Sequence, residues 1–143
     1  MQNFLKKYLC LSSLFFITNA ITAFIMRYYL YSFLFIFLTI TSITIHCNYS
    51  VYTNIIYKIA ILSIVLYGGY VFYNKVTTMN VNKYYKLLYI LIVIVTFFLC
   101  IFLYTYGFIY KQYCFNESKV IGDRYHAILH ALSAIGHHCI IFL

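Results

Sequence analysis

The chain reads as five long apolar runs separated by short polar stretches. A segment needs roughly 20 mostly apolar residues to cross about 30 Å of hydrocarbon as a helix. Runs of that kind fall at residues 8–26, 28–46, 51–73, 87–110 and 123–143. Only Arg27 stands between the first two, which predicts a tight antiparallel hairpin. Residues 74–86 and 111–122 carry Lys75, Asn80, Asn82, Lys83, Lys111, Asn116 and Lys119 and are read as polar loops. Helices are expected because each segment in a bilayer must satisfy its own backbone polar groups. No proline interrupts them, and Gly68, Gly69, Gly107 and Gly136 are the places where helices can approach closely. The expectation is all-α: a multi-pass transmembrane helical bundle forming one domain over 1–143.

The first run has a second reading. Lys6 and Lys7, the apolar stretch behind them and the small residues near Thr18, Asn19 and Ala20 also describe a secretory signal peptide. Apolar character continues through Ala23, Phe24, Ile25 and Met26, which favours a retained helix.

Composition supports the membrane reading: 65% of residues are hydrophobic and 8% charged, against roughly 25% charged in soluble domains. The net charge of +8 does not point to nucleic acid, because the basic residues stand singly or in pairs at the ends of apolar runs rather than in a stripe. Their partner is the lipid bilayer, where long basic side chains reach the headgroups, and the expected location is an endomembrane or plasma membrane. With the N-terminus cytoplasmic, Lys6, Lys7, Lys58, Lys111, Lys119 and Arg124 lie inside and Arg27, Lys75, Lys83 and Lys86 outside. That balance favours N-in. Two glycosylation sequons, at Asn48 and Asn116, then fall on the inner side.

Ionisable groups inside a membrane are expensive and commonly functional. His126 and His130 are spaced i, i+4, which puts both rings on one helix face. Such a pair can hold a metal. It can equally bond backbone carbonyls or headgroups at the interface. His46 ends the second run, with Ser42 one turn earlier on the same face. If the helices alternate in direction, the end of the second and the start of the fifth meet at one membrane face, and His46, His126 and His130 converge. Three imidazoles with an open fourth position describe a catalytic zinc site.

The Ser42-Ile43-Thr44-Ile45-His46 and His126-Ala127-Ile128-Leu129-His130 segments, with small Ala131, Ser133, Ala134 and Gly136 behind the second, resemble the CREST superfamily of membrane hydrolases. That superfamily holds the alkaline ceramidases, the progestin and adiponectin receptors and the family of myomaker. The resemblance implies zinc on His46, His126 and His130, Ser42 placed toward water or a substrate carbonyl, and lipid amides of the ceramide (sphingolipid) type as substrates. Members have seven helices; dropping two consecutive ones preserves the parity that brings the second and last helices together.

The family also carries an Asp near the start of the third helix as general base. Here that run contains no carboxylate, and Asn54 and Tyr57 are the nearest candidates. Asp123, three residues before His126, can stand in as the catalytic carboxylate or can cap the last helix. The missing base leaves an alternative function: a catalytically inactive relative serving membrane interaction, fusion or remodelling. Bis-His haem ligation and a small channel are further alternatives.

His137 returns to the stripe of His126 and His130 one layer deeper, where a buried ring bonded to Ser, Thr or a carbonyl is expected, and His138 points elsewhere. The cysteines at 10, 47, 100, 114 and 139 show no zinc spacing. Cys47 and Cys114 share a predicted membrane face and can pair if that face is luminal, but the odd total and scattered positions favour free, lipid-buried thiols.

Overall fold

A computed structural model of the chain describes residues 2–78 and 84–143, with side chains from residue 8 onward. Every described element is helical. Helix α1 spans Gln2–Ser13, α2 Phe15–Ile25, α3 Tyr29–Cys47, α4 Val51–Thr78 and α5 Tyr84–Ile101. A π-helical turn at Phe102–Tyr106 leads into the short α6, Gly107–Tyr110. A 3₁₀ turn at Tyr113–Phe115 then precedes α7, Lys119–Phe142.

Four stretches are long and apolar enough to cross a membrane: Tyr8–Ile25, Tyr29–Cys47, Val51–Thr78 and Tyr84–Phe115. Their outward faces carry large exposed apolar side chains, among them Phe24, Phe33, Leu62, Leu66 and Phe98. The exception is α7, which holds four of the five histidines and falls outside that apolar set. It packs against α1, α2, α4 and α5, so the most polar helix is sheltered by the apolar ones. The helices alternate in direction, which levels the end of α3 with the beginning of α7.

Several sequence boundaries move. The first apolar run is helical from Gln2, six residues earlier than expected, and is broken at Leu14. The break has a local cause. Ser12 Oγ and Ser13 Oγ both donate to the Leu9 carbonyl, at 2.9 and 3.0 Å. Hydroxyls that back-bond a carbonyl one turn earlier bend helices. The next turn tightens accordingly, with Leu14 N–H bonding Leu11 O and Ile17 N–H bonding Leu14 O.

The expected loop 74–86 is also corrected. α4 continues to Thr78 and α5 starts at Tyr84, while residues 79–83 lie outside the described residues. Thr77 and Thr78 donate their hydroxyls to Asn74 O within the helix, so polar side chains extend it beyond its apolar run. Lys75 is likewise helical, and its ammonium donates to the carbonyls of Ile140 (3.0 Å) and Ile141 (2.7 Å) at the end of α7. A cation there satisfies carbonyls that lack helical partners and complements the helix dipole.

The expected loop 111–122 is helical from Lys119. Asp123 therefore does not cap the last helix; Ser118 holds the N-cap position, without a side-chain hydrogen bond. Among the glycines read as approach points, Gly68 and Gly136 fit that role. A Cβ at Gly68 would lie 2.7 Å from Tyr31 Oη and 2.8 Å from His137 Cε1, and one at Gly136 would lie 2.5 Å from Thr96 Oγ1. Gly69 faces open space.

Candidate metal centre

Because α3 runs down to its end at Cys47 as α7 starts upward at Lys119, His46 meets the second and third turns of α7. The three imidazoles expected to converge do so. The ligand atoms of His46, His126 and His130 all lie within 4.8 Å of one another. Ring centroids are 5.0 Å apart for His46 and His126, 5.5 Å for His46 and His130, and 4.9 Å for His126 and His130. His130 is 2% exposed, and Phe16 packs its ring edge-on against it at 5.1 Å, an apolar floor toward the bundle interior.

His46 Nε2 and His126 Nε2 are buried and have no partner. A buried polar atom without a partner is unfavourable by about 1–3 kcal/mol, and a cation is one group that would satisfy both. A tetrahedral zinc with Zn–N near 2.0–2.1 Å draws its nitrogens to roughly 3.4 Å apart, a small inward turn of these rings. Neutral imidazoles also suit an apolar setting better than carboxylates do. The donor set fits zinc.

His130 is held from behind. Ser12 Oγ commits its proton to Leu9 O, so at 2.9 Å from His130 Nδ1 it accepts, and the ring N–H donates. That fixes the tautomer and leaves Nε2 as the ring's lone-pair atom. Tyr57 Oη stands 3.3 Å from that Nε2.

Ser42 is fully buried but is not a free nucleophile. Ser13 Oγ donates to Leu9 O, so Ser42 donates to Ser13 across 2.8 Å. The Ser13–Ser42 bond ties α1 to α3, and Ser12 and Tyr57 tie α1 and α4 to His130 on α7.

Asp123 lies one turn before His126 on α7, and its Oδ2 is buried without a partner. It is not among the three residues whose ligand atoms converge. Asn54 donates its backbone N–H to Ser50 O at the start of α4, and of the two α4 candidates it is Tyr57 that reaches His130.

Three further expectations can be placed. His137 is buried as expected, but its partner is the Tyr31 hydroxyl rather than Ser, Thr or a carbonyl. His138 does face away, with Nε2 3.0 Å from Thr18 Oγ1. Cys47 lies against Cys10, sulfur to sulfur at 2.7 Å, instead of against Cys114. Sequence reasoning missed Ser12 and Ser13 as site residues; the adjacent serines interrupting an apolar run were the available signal.

No protein-family model matches the chain, and neither a characterised protein nor a solved structure matches it.

Proposed function

We propose that His46, His126 and His130 hold a zinc ion, and that the chain is an integral, multi-pass membrane hydrolase acting on lipid amides of the ceramide type, in an endomembrane or the plasma membrane. One observation carries the reading: three imidazoles bring a ligand atom each within 4.8 Å of one another, two of these rings keep a buried Nε2 without a partner, and the tautomer of the third is fixed from behind. When bound, zinc supplies Lewis acidity, polarising a carbonyl oxygen and lowering the pKa of water to about 7.

The chain's own residues supply the rest. Ser12 keeps His130 in its ligating tautomer. Tyr57 offers the hydroxyl beside the three rings and orients a substrate carbonyl by hydrogen bonding. Phe16 keeps water out from the interior side. Asp123 is the nearest carboxylate in sequence to the ligands, and its unpartnered oxygen is the available proton acceptor.

The decisive measurement is metal content together with turnover in purified protein. About one zinc per chain is expected, lost when His46, His126 and His130 become Ala, together with hydrolysis of a fluorescent ceramide. Unchanged metal content in the triple variant would sink the proposal.

A second reading keeps the metal and drops the chemistry: an inactive bundle with a role in membrane interaction, fusion or remodelling. It is favoured by the absence of any carboxylate from α4, whose contribution at His130 is the phenol of Tyr57. Ceramide turnover by the zinc-loaded chain would eliminate it.

A further inference from the structure

We propose that Cys10 and Cys47 form a disulfide that joins α1 to the end of α3 beside the histidine cluster. The two sulfurs lie 2.7 Å apart, far closer than unbonded sulfurs sit and most of the way to the bond length of about 2.05 Å. The residues stand 37 positions apart on different helices, so the approach is not imposed by local chain geometry. It is set by the packing of α1 on α3, which the buried Ser13–Ser42 hydrogen bond also fixes one turn further in.

Accessibility sets the order of events. Cys47 is exposed and Cys10 half-buried, so an oxidant reaches Cys47 first. The oxidant is a disulfide of the glutathione or thiol-oxidoreductase class. The Cys47 thiolate attacks one of its sulfurs, breaks its S–S bond and releases one thiol, leaving a mixed disulfide. The Cys10 thiolate then attacks the Cys47 sulfur, forming the Cys10–Cys47 bond and releasing the second thiol. Two electrons and two protons pass from the cysteines to the oxidant, which ends as two thiols.

The bond's position gives it a consequence. Cys10 precedes Ser12 and Ser13, and Cys47 follows His46 directly. The link therefore holds the helix that orients His130 against the helix that carries His46.

The test is disulfide mapping of the full-length protein, purified in detergent, treated with chelator and equilibrated with oxidised and reduced glutathione. The expected product is a single intramolecular link between the peptides holding Cys10 and Cys47, with Cys100, Cys114 and Cys139 alkylated. In Cys10→Ser, Cys47 should instead carry one glutathione. Because the protein is metal-free throughout, the outcome does not depend on zinc binding. The proposal is overturned if Cys10 and Cys47 are both alkylated under mixtures that oxidise unstrained dithiols, or if Cys47 links to Cys114.

Discussion

Two buried histidines on the same helix, His130 and His137, sit in opposite situations. His137 is finished: its Nδ1 is bonded to Tyr31, Gly68 presses against its ring, and Phe35 packs edge-on at 5.2 Å. His130 is part of something unfinished, with Ser12 behind it and two neighbouring imidazole nitrogens without partners in front. Burial and residue type are shared, so neither identifies a site. What distinguishes them is the company each keeps: His130 stands beside two imidazoles whose Nε2 atoms lack partners, and His137 against a phenol and a phenyl ring.

The largest expected effect breaks this comparison outright. On the proposed zinc assignment, His130→Ala should abolish stoichiometric zinc binding by removing one of three ligands, while His137→Ala should leave metal content unchanged and lower stability by about 2–4 kcal/mol through a cavity and an unpaired Tyr31 hydroxyl. Elemental analysis and thermal unfolding of the two variants in the same detergent check both halves. Loss of zinc from His137→Ala with a folded bundle would show that the deeper histidine belongs to the site after all.

Next in size is Gly68→Ala. The added methyl would meet Tyr31 Oη at 2.7 Å and His137 Cε1 at 2.8 Å, and both neighbours are packed ring groups with little freedom to shift. Overpacking of that kind should destabilise by about 1–3 kcal/mol. Zinc stoichiometry should stay at the wild-type value. An equal loss of metal and stability would mean that the two ends of α7 are mechanically coupled.

How much of this was legible in the sequence follows the same division. The apolar runs foretold the helices, because a stretch that must satisfy its backbone in lipid has few alternatives. They did not foretell the ends. Helix α4 outlasts its apolar run through Thr77 and Thr78 bonding back to Asn74, and α7 starts at Lys119 in a stretch read as loop. The three histidines were legible from their spacing and from helix parity. The hydroxyls around them were not, since Ser12 meets a residue 118 positions away and no local pattern encodes that distance. His137 was legible as buried, but its phenolic partner was not, because an aromatic run such as 28–35 does not say which ring turns inward.

A finer test addresses the support behind His130. Ser12→Ala removes the acceptor that fixes the ring's tautomer without touching a ligand atom. Partners behind ligating histidines are typically worth 10–100-fold in metal affinity. Competition with a zinc indicator should show a Kd weakened by about that factor, with stoichiometry preserved. Ser63→Ala is the control, because that hydroxyl is exposed and bonds only the Ile59 carbonyl of its own helix. A Ser12→Ala protein with wild-type affinity would mean the ring is oriented by packing against Phe16 alone.

The smallest effect is expected at His138, the neighbour that belongs to neither arrangement. Thr18 Oγ1 gives its proton to Phe15 O, so it accepts from His138 Nε2. Thr18→Val keeps the branched shape and removes that acceptor. Thr18 is exposed and His138 only half-buried, so water can replace much of the lost bond. The expected change is about 0.5 kcal/mol in stability and none in zinc content. A change comparable to that of Gly68→Ala would instead place His138 among the groups that hold α2 to α7. That role is at present carried by Asn19, whose amide donates to Ala134 O at 2.9 Å from a fully buried position.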